Sequence, residues 1–252
     1  MAVISDVTHP RTCAGCGRED TLWCPDCAAL FAVPPTPRCP PELVAAAGCD
    51  LLSFQVYAGC ARQFVLAAKH DRRRDVQPVL TQCGVIAGRA LAERGYRPRW
   101  VVPAPSSLKR RWRRHLVAHL IADGVAKGLA ESGVRPIACV DALRLAWNAR
   151  TQAGRSGAQR AAARSGAMRA LVDLPGEVVL VDDVVTTGAT VAEAVRVLRE
   201  GGSNVQVALS LTVAERPGSH DIAGRNPVYP RSHAAKIKAT ALPISAHEKR
   251  RR

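Results

Sequence analysis

The chain is poor in aromatic residues and has no long hydrophobic run. Aromatic side chains make up only 4% of its 252 residues, so Val, Leu, Ala and Ile must fill the core. No segment approaches the roughly 18–20 consecutive apolar residues that a membrane helix needs. Residues 1–11 also have no apolar stretch like that of a signal peptide. We therefore expect a cytoplasmic protein without a membrane partner.

Acidic residues are scarce relative to basic ones. The chain has 36 Lys and Arg against 21 Asp and Glu, which gives a formal net charge of +15. Such an excess favours polyanionic partners, meaning nucleic acid, single-stranded DNA included, or phosphorylated small molecules. An Arg-rich and Ala-rich coding bias accounts for the charge equally well, so composition alone leaves both explanations open.

Composition divides the chain into three parts. Residues 1–50 are rich in Cys and Pro and are predicted to form a small zinc-binding module. Residues 51–215 carry the strong helix and strand patterns of a medium domain. Within that domain, residues 143–176 are rich in Ala, Arg, Gly and Ser. They are either a flexible hood over a ligand or a disordered insertion. Residues 216–252 are basic and predicted to be a disordered tail that can bind nucleic acid.

Hydrophobic periodicity predicts alternating helices and strands in the main domain. The order of strand, helix and strand near the carboxyl end is a βαβ crossover, which implies a parallel sheet flanked by helices on both faces. The fold class is therefore α/β. The predicted helices cover residues 60–69, 79–93, 115–132 and 190–200, and the predicted strands cover Trp100–Pro103, 177–181 and 204–213.

One segment, residues 178–191, combines a buried strand, two acids, and a Thr- and Gly-rich loop before a helix. In open α/β sheets, ligands bind beyond the carboxyl ends of the strands. Carboxylates there can accept hydrogen bonds from ribose hydroxyls, while backbone amides before a helix favour phosphate. We therefore predict a sugar-phosphate site, the alternative being an ordinary strand-to-helix turn with an Asp cap. Its residues are Asp182, Asp183, Thr186, Thr187, Gly188, Ala189 and Thr190.

The nine cysteines are read as metal ligands and core thiols, since a reducing compartment disfavours disulfides. Cys13 and Cys16 form one C-x-x-C pair, and Cys24 and Cys27 form another, with seven residues between the two pairs. Four thiolates satisfy a tetrahedral Zn²⁺ of structural type. Alternatives are that Cys39 replaces one ligand, or that the cluster is a vestigial site or a redox pair.

The 178–191 segment resembles the PRPP-binding signature of type I phosphoribosyltransferases, PRPP being 5-phosphoribosyl-1-pyrophosphate. Together with the N-terminal Cys cluster it resembles the ComF family, the amidophosphoribosyltransferase-like competence proteins. The resemblance implies that Asp182 and Asp183 contact the ribose 2′- and 3′-hydroxyls. It also implies that residues 186–190 cradle the 5′-phosphate and that Mg²⁺ accompanies PRPP.

Other segments fit that resemblance, including residues 57–69 and 150–164. In type I enzymes the loop after the first core strand grips pyrophosphate; a solvated basic helix start or a nucleic-acid patch is the alternative here. The residues of this chain that correspond to that pyrophosphate loop are Ala104, Pro105, Ser106, Ser107 and Arg110.

His115 and His119 are four residues apart on one predicted helix face. They are expected to be surface or half-buried side chains rather than metal ligands.

Two functions from different classes follow. The first is a phosphoribosyltransferase that transfers a phosphoribosyl group to an unknown acceptor and releases pyrophosphate. The second is a non-catalytic protein of the same fold that acts in DNA uptake or nucleic-acid handling. A nucleotide-responsive regulator is a weaker third. An active site needs both Asp182 and Asp183, whereas a pure DNA-binding protein would do better without these negative charges.

Overall fold

Helices and strands alternate along the part of the chain that the computed structural model describes, which is residues 12–70, 76–105, 117–146 and 168–214. The helices in these ranges are α1 (Pro25–Ala29), α2 (Pro41–Ala47), α3 (Gly59–His70), α4 (Gln77–Glu93), α5 (Val117–Glu131) and α6 (Ala189–Glu200). The strands are β1 (Asp50–Val56), β2 (Trp100–Pro103), β3 (Ala138–Cys139), β4 (Leu143–Leu145), β5 (Met168–Ala170), β6 (Gly176–Val185) and β7 (Ser203–Val213).

Five strands form one parallel sheet in the order β1-β7-β6-β2-β3. The predicted parallel α/β sheet is therefore confirmed. From β2 the chain moves outward to β3, and from β6 it moves outward in the opposite direction to β7. The strand order thus reverses between β2 and β6, and a crevice is expected at the carboxyl ends of these two strands. The short strands β4 and β5 form a separate antiparallel ribbon.

The sheet is covered by helices on both faces, as the βαβ pattern predicted. Val179 and Val181 of β6 pack in the same core cluster as residues of α3, α4 and α5. Their neighbours Val178 and Leu180 pack in a second cluster with residues of α2 and α6. This alternation is what a strand buried on both faces requires.

Helices α4 and α5 approach each other through glycines spaced four residues apart on each helix. A Cβ atom on Gly84 would lie 2.1 Å from the carbonyl oxygen of Ile121, and one on Gly124 would lie 2.2 Å from that of Thr81. Gly88 and Gly128 are equally close to the backbone of the facing helix. The two backbones are therefore in direct contact, which any side chain at these positions would prevent.

The Cys-rich segment is joined to the sheet by an aromatic cluster. It contains all three phenylalanines of the chain, Phe31, Phe54 and Phe64, together with Trp23. The Phe64 ring centroid lies 4.3 Å from that of Trp23 and 5.2 Å from that of Phe31. On the other face of the sheet, α2 contributes Leu43 and Ala47 to the core cluster that contains α6. Four of the ten aromatic residues thus meet where the N-terminal residues contact the sheet.

The predicted helices and strands of the main domain are confirmed within the described residues, with shifts of a few residues at their ends. The largest difference is in β6, which runs to Val185 instead of ending at Val181, because its last residues still pair with β7. Strand β1 was not predicted, because the polar Ser53, although fully buried, interrupts the apolar run from Leu51 to Phe54. None of the described helices has the length and apolarity needed to cross a bilayer.

Several predictions concern residues that lie outside the described ranges. These are the central part of the 143–176 segment, the tail from residue 215 onward, and the segment 150–164. The flexible-hood prediction and the three-part division of the chain therefore stay predictions.

Replacing Gly88 by Ala tests the close helix contact. In an ordinary helix interior this change stabilises a protein by about 0.5–1 kcal/mol. Here the new methyl group would lie 2.3 Å from the carbonyl oxygen of Val125. We expect instead a loss of about 1–3 kcal/mol in the free energy of unfolding, measured in urea. Lys127→Ala, an exposed change on α5, is the control and should stay within about 0.5 kcal/mol. A more stable Gly88→Ala variant would contradict the packing.

Candidate functional site

The two acids of the central motif lie at the carboxyl edge of the sheet, where β2 stops pairing with β6. Pro103 is the last β2 residue in register, opposite Val181. The backbone N–H of Ala104 then donates to the carbonyl oxygen of Val181 at 2.7 Å. The start of the predicted pyrophosphate loop, Ala104 and Pro105, is therefore adjacent to the acidic pair. Ser106, Ser107 and Arg110 lie outside the described residues.

The two carboxylates have different partners. The Lys69 ammonium donates to Oδ1 of Asp183 at 2.6 Å, and these two side chains are only 14% and 16% exposed. Oδ1 of Asp182 accepts the backbone N–H of Asp183 at 2.7 Å. Strand alternation places Asp183 on the side of α3, α4 and α5, and Asp182 on the side of α2 and α6. The pair thus presents one carboxylate to each side of the strand end.

Helix α3 brings Lys69 to this edge. The helix starts three residues after β1 ends, contacts β1 and β7, and reaches Asp183 of β6 with its last turn. Lys69 and Asp183 are 114 residues apart in the sequence, so no local pattern predicts their contact. The sequence marked this lysine in two ways, as the end of a predicted amphipathic helix and as the end of the segment 57–69 that fits the family resemblance, but neither named its partner. Lys69 halves the negative charge that the acidic pair would otherwise present.

The loop after the acids turns at Gly188 into the start of α6. Gly188 caps the start of α6 with φ +71°, a conformation that favours glycine. A Cβ atom there would also approach Leu43 to 3.3 Å. The side chains of Thr186, Thr187 and Thr190 are exposed, and the first turn of α6 has no acidic residue. The loop therefore places exposed threonine side chains at the positive end of a helix.

A second candidate site is formed by the N-terminal cysteines. The Sγ atoms of Cys13, Cys16, Cys24 and Cys27 all lie within 4.8 Å of one another. Such a set can hold a metal ion such as zinc. Cys39, the alternative ligand, instead packs against the core cluster that contains α2 and α6. The structure therefore brings together the four cysteines of the two C-x-x-C pairs.

The backbone presents these thiols from two directions. Thr12 and Glu19 close a short antiparallel turn that holds Cys13 and Cys16, while Cys24 precedes α1 and Cys27 lies within it. Gly15 is required where the turn with Cys13 and Cys16 meets α1, because a Cβ atom on Gly15 would lie 2.6 Å from the Cys27 sulfur. The two pairs are therefore held face to face by local structure.

The thiols differ in acidity. Burial works to raise the pKa of Cys13, but hydrogen bonds from the backbone of Cys16, Cys24 and Gly15 outweigh it and lower that pKa to about 6. Burial raises the pKa of Cys27, and the neighbouring thiols of Cys24 and Cys13 raise it further. The Cys13 thiolate would attract a cation, and binding of the cation would displace the protons that Cys24 and Cys27 hold.

The other cysteines match their prediction as core thiols to different degrees. Burial raises the pKa of Cys49 to about 11 and that of Cys83 and Cys139 to about 12, so these thiols are neutral at ordinary pH. Cys60 is only partly buried and packs against the N-terminal cysteine cluster.

Zinc content tests the cysteine cluster. We expect protein purified without chelators to carry one equivalent of zinc by elemental analysis. Cys24→Ser should lose most of it and unfold at a lower urea concentration, because metal binding contributes to folding. Cys39→Ser is the matched control and should keep its zinc. Less than about half an equivalent in the wild type would count against the site.

A double-mutant cycle tests the contact between Lys69 and Asp183. Lys69→Met leaves a largely buried carboxylate without its cation and should cost about 1–3 kcal/mol of unfolding free energy. Asp183→Asn in addition should restore part of that loss, giving a coupling energy of about 1 kcal/mol or more. The exposed pair Lys127 and Glu131 is the control, with an expected coupling below about 0.5 kcal/mol. Equal coupling for the two pairs would show that burial adds nothing.

Comparison with known proteins assigns no family. A scan against protein-family models gave no match, and a search of the curated proteins gave none either. The function is therefore argued from the geometry of the site.

Proposed function

We propose that the protein binds PRPP at the carboxyl edge between β2 and β6 and transfers its phosphoribosyl group to an acceptor, with release of pyrophosphate. One observation carries the proposal. A pair of acids and a glycine-capped helix start lie next to each other at the point where the strand order reverses. An ordinary strand-to-helix turn does not need two adjacent acids, one of them held by a lysine from a distant helix.

Different residues would contact different parts of PRPP. Asp182 and Asp183 accept hydrogen bonds from the ribose hydroxyls, each worth about 1.5–3 kcal/mol because a charged group takes part. The amides and hydroxyls of residues 186–190 hold the 5′-phosphate at the start of α6. Mg²⁺ prefers oxygen ligands of the carboxylate and phosphate type. It would accompany PRPP and neutralise charge on its pyrophosphate.

Lys69 makes an acidic pair compatible with a polyanion. Two uncompensated carboxylates would repel PRPP, whereas the lysine leaves a net charge of −1 for these three groups. During transfer the acceptor bonds to the anomeric carbon, and the bond to pyrophosphate breaks with its electron pair on the departing oxygen. The protein contributes by positioning the reactants and by stabilising the charges that develop.

The cysteine cluster has a structural role in this proposal. Four protein thiolates leave a bound zinc ion no open position for catalysis. Zinc would instead fix residues 12–29, whose Trp23 packs on Phe64 of α3, the helix that carries Lys69. The metal would thereby support the helix that reaches the acidic pair.

A non-catalytic role in nucleic-acid handling is the second candidate, and the net charge of +15 favours it. The two candidates differ at the acidic pair, because nucleic-acid phosphates gain nothing from carboxylates. Protein that binds PRPP but releases no pyrophosphate with any base tested would support the binding module over the enzyme.

Calorimetric titration with PRPP and Mg²⁺ tests the ligand assignment. Asp182→Asn and Asp183→Asn should each weaken PRPP binding by about 10-fold or more, since each removes a charged hydrogen-bond acceptor. Asp50→Asn is the matched control. It removes the same charge at the opposite edge of the sheet, where Asp50 accepts a hydrogen bond from Tyr96. Its affinity should stay unchanged. Absence of PRPP binding by the wild type would reject the proposal.

A further inference from the structure

Two buried hydroxyl groups of strand β7 have no hydrogen bond within the part of the chain that the structure describes. They belong to Ser210, which is 1% exposed, and Thr212, which is 0% exposed. A buried hydroxyl without a partner destabilises a folded protein, and the large majority of buried polar side chains have one. The two hydroxyls therefore need an explanation.

Ser210 is the direct neighbour of Asp182. Strands β6 and β7 run parallel with Asp182 opposite Ser210, so the two side chains lie on the same face of the sheet. Leu209 and Leu211 pack on the face of α3, α4 and α5, which leaves Ser210 on the face of α2 and α6. Adjacent strands are about 4.8 Å apart. At that spacing a serine hydroxyl and a carboxylate can form a hydrogen bond after a change of rotamer.

The other buried hydroxyls near Ser210 have different surroundings. Ser53, opposite Ser210 on β1, donates its own proton to the carbonyl oxygen of Gln55 at 3.1 Å. Thr212 lies two residues further along β7, opposite Val184. Asp182 is therefore the charged acceptor that strand register places beside the unpaired Ser210 hydroxyl.

The Asp182 carboxylate can accept more than one donor. A carboxylate has about four lone-pair sites, so the bond that Oδ1 accepts from the backbone N–H of Asp183 leaves capacity for others. In the proposed function, ribose hydroxyls are such donors. To accept them the carboxylate must turn from its own backbone toward the cleft, and a second contact within the protein would hold it there. Ser210 can supply that contact from inside the sheet.

We propose that Ser210 is a positioning residue for Asp182. In the ligand-bound protein the Ser210 hydroxyl donates to one carboxylate oxygen and fixes the rotamer in which the other oxygen accepts from the ribose. The hydroxyl is thus unpaired in the free protein and gains its partner together with the ligand. The assignment rests on the proposed function, since it requires a ribose at Asp182.

Ser210→Ala separates positioning from packing, because the two roles predict opposite effects. Removal of an unpaired buried hydroxyl should leave the urea midpoint of the free protein unchanged or raise it. Removal of a hydrogen bond to a charged group should weaken PRPP binding by about 10-fold in calorimetric titration with Mg²⁺. A variant that unfolds at a lower urea concentration and keeps its PRPP affinity would overturn the proposal.

Thr212→Val is the matched control. It removes a hydroxyl of the same strand that is equally buried and unpaired, and it keeps the size of the side chain. Thr212 is a diagonal neighbour of Asp182, and such neighbours are about 7–8 Å apart, too far for a direct bond between two short side chains. Its PRPP affinity should match that of the wild type. Equal losses in Ser210→Ala and Thr212→Val would exclude positioning by Ser210.

A double variant tests whether Ser210 acts through Asp182. If it does, adding Ser210→Ala to Asp182→Asn should weaken PRPP binding much less than Ser210→Ala does in the wild type, because the carboxylate that it orients is gone. Fully additive losses would show that Ser210 acts independently of Asp182 and would contradict the proposal.

Ribose 5-phosphate with Mg²⁺ is a second probe, which separates this inference from the proposed function. It offers ribose hydroxyls and a 5′-phosphate without pyrophosphate. If the wild type binds this probe but not PRPP, and Ser210→Ala alone weakens that binding, the proposed function fails while the positioning role stands. If the wild type binds PRPP and Ser210→Ala binds it equally well, the positioning role fails alone. Binding of neither probe by the wild type would reject both.

Discussion

The register of β6 between its two neighbours is the constraint on which the candidate site depends. β2 pairs with β6 only as far as Val181, whereas β7 pairs with β6 as far as Val185. Asp182 and Asp183 therefore lie beside β7 on one side, while on the other side no described strand pairs with them. A strand pair of equal length would have buried both acids within the ladder, and a shorter β7 would have left them on an unsupported loop.

The surroundings of the acids are supplied by elements from distant parts of the chain. Lys69 comes from a helix that follows β1, and Leu43 of α2 packs against the glycine at which α6 begins. Ser210 comes from β7, where it lies opposite Asp182. These groups meet because the parallel topology collects the carboxyl ends of all five strands at one edge. The glycine contacts between α4 and α5 hold the helix that carries His119 close to that edge.

The N-terminal cysteine cluster is integrated with this architecture through aromatic packing rather than through a flexible link. Trp23 and Phe31 lie against Phe54 of β1 and Phe64 of α3. A change in the cysteine cluster would therefore be transmitted to α3, the helix whose last turn carries Lys69. Among the described residues, the ring-to-ring contacts all lie at this one junction.

The sequence alone determined the local features. Periodicity predicted the central strands and helices, and the strand, acid pair and glycine loop are contiguous, so their order could be read directly. The two C-x-x-C pairs likewise identified the four cysteines that the structure brings together. Strand β1 was missed because the buried polar residue Ser53 interrupts its short apolar run. Only the tertiary structure decided that Lys69 meets Asp183 and that Arg144 stands opposite Arg169. Contacts of that kind depend on strand order and register, which arise from packing of the whole sheet and leave no trace in any short segment.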